Sequence, residues 1–319
     1  MIKALAITGP TASGKTALSI SVANALGCEI LSCDSMQIYR GMDIGTAKAT
    51  AHEQALVRHH LIDIADPKEP FSAQDYAEAA TVCASDIVSR GKIPLFVGGT
   101  GLYISTLTRA ALPEVPKASE EYREEIMAAI RTDEDKLALH ARLREVDPVS
   151  AEAIHPNNLR RLIRALEIYD RTGKPKSYFD ELSRTAEPPM QIKTVAIDFH
   201  SRELLYERID RRVDIMMSEG LLDEVRNLYS AGMLLPDTTA AQAIGYKELI
   251  GCIEGEKTLD SAIEEIKQAS RNYAKRQLTW WRADRGAITL YADTDDGAMK
   301  SPEQMLEEYM QLIKNQGMA

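Results

Sequence analysis

The sequence predicts an α/β protein in which a parallel β-sheet core is interrupted by an all-helical insertion and completed by a helical C-terminal region. Three observations carry that prediction. Short apolar runs alternate with helix-period segments through the first hundred residues, the pattern of strands joined by helical crossovers. From about Pro113 to Pro189, helix-period segments follow one another with no strand between them. A run of strand type, Thr194–Phe199 (TVAIDF), then reappears before the chain turns mostly helical.

Taken in order, Ala4–Thr8 (ALAIT) is the first strand, stopped by Gly9-Pro10, and Ala17–Leu26 has the pattern of a helix. Glu29–Cys33 and Leu61–Ile64 are the next strands, and Ala73–Ser89 is an amphipathic helix. Ile93–Val97 is a strand stopped by Gly98-Gly99. Pro113 and Pro116 mark a boundary, after which Ser119–Arg131, Glu134–Val146 and Asn157–Thr172 are helices punctuated by Asp-Pro and His-Pro. Pro188-Pro189 closes that stretch. Arg202–Ser218, Leu221–Ala231, Ala241–Ile250 and Thr258–Arg282 are helices, and Ile288–Tyr291 is a last strand. The expected organisation is a core formed by 1–112 and 190–319, with 113–189 inserted into it.

Length and composition set bounds on function. The chain has 319 residues, 45% of them apolar and 27% charged, the profile of a globular protein with about two domains. No window approaches the ~18 apolar residues of a spanning helix, so no membrane role is expected. The start lacks the pattern of an export signal, and Cys28, Cys33, Cys83 and Cys252 form no CxxC pair; a reducing cytoplasm and no zinc site are expected. The net charge of −10 argues against a non-specific nucleic-acid coat but leaves room for a local basic face.

The firmest chemical signal is Gly9-Pro10-Thr11-Ala12-Ser13-Gly14-Lys15-Thr16, which matches GxxxxGK[ST] between a strand and a helix. Such a loop curls backbone N–H groups around an anion at a helix N-terminus. Lys15 is placed to reach terminal phosphates and the Thr16 hydroxyl to hold Mg²⁺. The core is therefore expected to be P-loop NTPase-like, with a diphosphate or polyphosphate site. The usual metal-holding acid is not at the end of Ile93–Val97, which runs into Gly98-Gly99-Thr100; Asp198 follows the insertion instead. Asp34, at the end of the second strand, should share a rim with Thr100, as metal ligand, general base or helix N-cap. Arg208, Arg211 and Arg212 lie in a helical run, with Arg208 and Arg212 on one face; they suit a diphosphate or a surface pairing with Glu207, Asp210 or Asp214. Two basic islands, Asn158–Arg164 and Arg271–Arg285, could meet RNA phosphates or be solvated faces. Trp280 and Trp281, beside Arg282, could stack on bases, but at least one ring is expected in the core.

Together these residues resemble the tRNA dimethylallyltransferase (tRNA isopentenyltransferase) family. The resemblance runs through nearly the whole chain. It rests on GPTASGKT (Gly9–Thr16), SCDSMQIYRGMDIGTAK (Ser32–Lys48), HHLIDI (His59–Ile64), VGGTGLY (Val97–Tyr103), DPVSAEAIHPNNLRRLIRALE (Asp147–Glu167), ERIDRRVDIM (Glu207–Met216), AIGYKEL (Ala243–Leu249) and YAKRQLTWWR (Tyr273–Arg282). Leu159 stands where some relatives carry proline.

The resemblance implies transfer of a dimethylallyl group from its diphosphate to N6 of the adenosine immediately 3′ of the anticodon, in tRNAs that read codons beginning with U. It implies Mg²⁺ as cofactor, the tRNA anticodon stem-loop and dimethylallyl diphosphate as partners, and a monomer. Gly9–Thr16 with Arg208 and Arg212 would hold the diphosphate, with Lys15 assisting its departure. Asp34 would act as base and Thr100 would hydrogen-bond near the departing oxygen and the acceptor. Asp34, Ser35, Met36, Gln37 and Thr100, with Arg123, Asn158, Leu159, Arg160, Arg161, Leu162 and Arg276, would meet tRNA. An amide such as Gln37 can pair bidentately with an extruded adenine, or it can be a helix-start surface residue. From the residues alone, an adenine-nucleotide prenyltransferase, a small-molecule kinase using Asp34 as base, and an RNA-binding NTPase switch using Asp198 stay open.

Overall fold

The computed structural model describes residues 1–110, 112, 115–236 and 238–315. Pro113, one of the two expected boundary prolines, lies outside them. In chain order the elements are β1 (Ile2–Thr8), α1 (Lys15–Leu26), β2 (Cys28–Ser32), α2 (Ala51–Leu56), β3 (His59–His60), α3 (Ala73–Ser89), β4 (Ile93–Gly98) and α4 (Gly101–Leu107). There follow α5 (Glu120–Ala129), α6 (Asp133–Val146), α7 (Pro148–Ala153), α8 (Leu159–Thr172) and α9 (Lys176–Thr185). The chain ends with β5 (Met190–Asp198), α10 (Arg202–Ser218), α11 (Leu221–Ser230), α12 (Tyr246–Ile253), α13 (Leu259–Ala283), β6 (Ile288–Tyr291) and α14 (Pro302–Lys314). It divides into two compact units, Met1–Thr108 with Met190–Ala319, and Arg109–Pro189.

The first unit is an α/β fold on one sheet of strand order β3-β2-β4-β1-β5-β6. Every pairing is parallel. Alternation along β1 explains how the sheet is covered on both faces. Leu5 and Ile7 enter one cluster with Leu18, Val22, Ile209, Leu278 and Tyr309 from the helices. Ala4 and Ala6 enter another with Tyr76, Ala80, Ala84, Ile104 and Trp281. Burying a side chain such as Ile7 fully contributes about 1.5–3 kcal/mol. A third cluster joins Ile38, Tyr39 and Met42 to α10, α11, α12 and α13. It covers the chain that leaves β2, so the segment after Asp34 is held by tertiary packing. Because all strands are parallel, the ends of β1, β2, β4 and β5 gather at one rim, where such sheets bind ligands.

Several elements differ from the sequence reading, and β5 begins at Met190, four residues before the expected Thr194. The third strand is His59–His60, not Leu61–Ile64. Leu61 and Asp63 take positive φ (60° and 57°), incompatible with a strand, and the apolar signal of Leu61 comes from its burial in the second cluster. Helix α12 begins at Tyr246 because the preceding residues form turns that deliver Gly245 at φ 95°. The helices α2, α4, α7, α9 and α14 were also not expected. Each is short or capped by residues that alone would equally mark a turn, such as Asp147, Pro175 and Ser301.

The second unit is all helical among its described residues. Leu143, Ala151, Ile154, Leu162, Ala165 and Leu166 form its small core. Asp147 is fully buried and caps α7 through Ser150 N (3.0 Å), while also accepting from Ser177 N (2.9 Å). These hydrogen bonds outweigh burial and hold its carboxyl below the usual range.

Candidate active site

The loop after β1 and the first turn of α1 form one wall of a cavity of about 690 Å³, a size typical of small-molecule sites. Thr11, Ala12, Ser13, Gly14, Lys15 and Thr16 line it. Gly9 and Pro10 stand behind, and their carbonyls accept from Lys15 Nζ at 3.1 and 2.6 Å. Ala12 is held at φ 62°, a strained conformation for a non-glycine residue. Ser13 Oγ is buried with no hydrogen-bond partner, the kind of orphan an anion's oxygen would satisfy.

Three arginines approach this loop from α10. Arg208, Arg211 and Arg212 all line the cavity, and Arg208 Nε donates to Ala12 O at 2.9 Å. Of the acids that could have neutralised them, Asp210 pairs with Arg271 and Asp214 with Lys267, both on α13. Burial lowers the pKa of Arg208, helped by Arg211. It also lowers that of Arg212, which the Asp34 charge opposes. Lys15 shows the strongest effect. Burial and then Arg212 bring it from 10.5 down to about 7, against the pull of Asp34. The site is a desolvated cluster of basic groups, a preformed demand for an anion.

Across the cavity, Asp34, Ser35, Met36 and Gln37 line the wall that follows β2. Asp34 caps a tight turn, accepting from Met36 N at 2.9 Å, so it is not a helix N-cap. Thr100 is close but is not itself on the wall. Its hydroxyl accepts from Ser35 N at 3.1 Å and its N–H donates to Cys33 O at 3.2 Å, so it acts on the turn that carries Asp34. Gln37 does not offer a free amide to an adenine edge. Its Oε1 accepts from Ser32 Oγ at 2.8 Å, and its Nε2 donates to Thr46 O and Ala47 O, both at 3.2 Å. The loop it supports is further fixed by Glu224, which accepts from the N–H groups of Asp43, Ile44 and Gly45 and from Tyr246 Oη.

Helix α13 adds Tyr273, Arg276 and Gln277 to the lining. Of these, sequence reasoning singled out Arg276 alone. Burial and the Asp34 charge push the Tyr273 phenol up, eased by Thr100. Arg276 is exposed, packs over the Tyr273 ring and has no ion pair among the described residues. The rest of the C-terminal basic stretch is partly spent. Arg271 pairs with Asp210, and Arg282 holds Asp198 through two hydrogen bonds of 2.7 and 2.8 Å. Trp281 is buried in the core, while Trp280 is 40% exposed.

The remaining expected tRNA contacts belong to the second unit. Arg160 and Arg161 are exposed on α8, with no ion pair among the described residues. Asn158 caps α8 through Arg161 N, and Leu159 is half-buried. Leu162 is fully buried in the unit's core and is not available to RNA: the α8 periodicity turns it inward between two exposed arginines and Arg164. Arg164 pairs with Glu167, and Arg123 pairs with Glu120 on α5.

Fold and cradle together define a P-loop α/β protein whose phosphate site shares a cavity with a carboxylate at the end of β2, one strand beyond β4. Residues 37–284 match the IPP transferase family. A tRNA dimethylallyltransferase from Halalkalibacterium halodurans is 47% identical over 294 residues, 92% of each chain. The crystal structure of the full-length tRNA isopentenylpyrophosphate transferase from Bacillus halodurans superposes with a TM-score of 0.70 at 42% identity, covering 98% of this chain and 96% of that one. A eukaryotic dimethylallyltransferase acting on tRNA gives a TM-score of 0.80 at 30% identity, covering 99% and 80%. The chain belongs to the IPP transferase family.

Proposed function

We propose that this protein transfers a dimethylallyl group from dimethylallyl diphosphate to N6 of the adenosine immediately 3′ of the anticodon, in tRNAs reading codons that begin with U. The observation that carries this reading is a single cavity that joins a cationic diphosphate cradle to Asp34. The acceptor is a conjugated amine and a weak nucleophile, so the reaction needs an anion hole for the leaving diphosphate, an acceptor for the amine proton and enforced alignment. Lys15, Arg208, Arg212 and the loop N–H groups hold the diphosphate. Asp34 takes the proton from N6 as the C–N bond forms. The enclosing walls keep water from the allyl group.

The residues present suit Mg²⁺. Thr16 lines the cavity, and no trio of acidic, His or Cys side chains competes for a metal among the described residues. Thr16 would hold the ion together with diphosphate oxygens and water, and the ion would neutralise charge on the leaving group. We assign the Arg109–Pro189 unit to tRNA binding through Arg160, Arg161 and Arg123, assisted by Arg276 from the first unit. We also propose that the protein works as a monomer in the cytoplasm; no helix among the described residues is long and apolar enough to cross a membrane. The switch reading is disfavoured because Asp198 is committed to Arg282 and does not line the cavity.

The test is incubation of purified protein with Mg²⁺, dimethylallyl diphosphate and an anticodon stem-loop carrying three consecutive adenosines. The expected product is the stem-loop heavier by one dimethylallyl unit. ATP hydrolysis without prenyl transfer would reject the reading. In the same assay, Arg160→Ala and Arg276→Ala should each weaken stem-loop binding and reduce its salt slope by about one. Unchanged slopes would make those residues merely solvated.

Lys15 gives a second prediction. Its neutral amine has two N–H groups, and in this structure they are spent on two loop carbonyls. A bound diphosphate restores the charged form and raises the pKa from about 7. Binding therefore takes up a proton above pH 7, and donor affinity falls as pH rises, by up to about tenfold per unit. Calorimetry at pH 8 in buffers of different ionisation enthalpy should find an uptake approaching one proton; none would show Lys15 to be charged already.

A further inference from the structure

We infer that Gln277 is a positioning residue for prenyl transfer, joining the diphosphate loop to the turn that carries Asp34. Its amide is buried between two segments far apart in sequence. Oε1 accepts from Thr11 N at 3.0 Å and Nε2 donates to Gly99 O at 3.1 Å. One group thus grips the cradle and the tip of β4 together. Gly99 precedes Thr100, and Thr100 holds Ser35 and so the Asp34 turn. The contact is close: a Cβ on Gly99 would lie 1.9 Å from Gln277 Nε2, so the glycine is the seat of the amide.

The chemistry requires a carboxamide. The Thr11 N–H must be accepted and the Gly99 C=O must be given a donor, and Gln does both from one planar group. Methionine has the length and neither function. An ionised glutamate accepts but has no donor for Gly99, whereas a protonated glutamate has the same shape and both functions. Helix α13 supplies the rigidity, since the neighbouring Ala274, Leu278 and Trp281 are buried in the sheet's two clusters.

This inference rests on the proposed transfer reaction, and its test separates the two. Single-turnover transfer to the stem-loop is measured at saturating donor for the wild type, Gln277→Met and Gln277→Glu. Gln277→Met should lose about 30-fold or more in rate, with stem-loop affinity changed less than about threefold, as misplacement of a catalytic group does. Adding Thr100→Ala to Gln277→Met should cost little more, because both act on the same turn. For Gln277→Glu, the ratio of variant to wild-type rate should climb as pH falls from 8 to 5, when the glutamate regains its donor. That pH-dependent recovery decides the matter even if Gln277→Met does not fold. An inactive wild type would sink the transfer reaction and this inference with it. An active wild type with a flat ratio, or with additive losses in the double variant, would overturn the positioning role alone.

Discussion

Asp34→Asn should lower the single-turnover rate of prenyl transfer by about 10²–10⁴-fold, the usual contribution of a positioned general base. The substitution isolates chemistry from structure. Asparagine Oδ1 can accept from Met36 N just as the carboxylate does, so the turn after β2 should survive. What disappears is the proton acceptor and a negative charge that supports Lys15 and Arg212 in their charged forms. Losing that charge weakens the hold on diphosphate, so the rate is read at saturating donor, and stem-loop affinity is measured separately. A full loss of binding with an intact rate would make Asp34 a recognition residue. A rate within a few-fold of wild type would remove the base from the proposed mechanism.

The cradle was legible in the sequence because its parts are consecutive. A strand, a glycine-bracketed loop and a helix start within 16 residues leave little conformational choice, and the loop in the structure has that form. The sheet was legible for a similar reason: near-continuous burial on β1, β2 and β4 leaves short, mostly apolar runs between helical segments. What could not be read was long-range partnership. Gln277 lies 266 positions from Thr11, and nothing near it in sequence announces a buried amide. Arg271 and Arg282 look like RNA-binding charges until Asp210 and Asp198 are found beside them. Gln37 looks like a reader of bases until the fold brings Thr46 and Ala47 to its amide. Charge and polarity are visible in a sequence, but whether a group is already satisfied depends on tertiary contacts.

Gly98→Ala should damage both fold and activity, since Thr100 reaches the turn that carries Asp34 across the close approach of two parallel strand ends. The tips of β2 and β4 approach so closely that a Cβ at Gly98 would lie 2.1 Å from Cys33 O and 2.3 Å from its carbonyl carbon. Both are backbone atoms, so no rotamer relieves the clash, and the strands must separate. Three hydrogen bonds depend on that approach: Cys33 N to Val97 O (2.7 Å), Thr100 N to Cys33 O (3.2 Å) and Ser35 N to Thr100 Oγ1 (3.1 Å). Overpacking combined with broken buried hydrogen bonds belongs to the substitutions that cost about 4 kcal/mol or more. At about 2–4 °C per kcal/mol for a unit of this size, the melting temperature should fall by about 8–16 °C. Below the new transition the folded fraction stays high, yet transfer should be reduced far more than that fraction, because Asp34 and Thr100 no longer share one framework. Circular dichroism melts and single-turnover rates at 20 °C on the same preparation separate the two effects. An unchanged melt with an unchanged rate would show that the two strand ends can part without consequence.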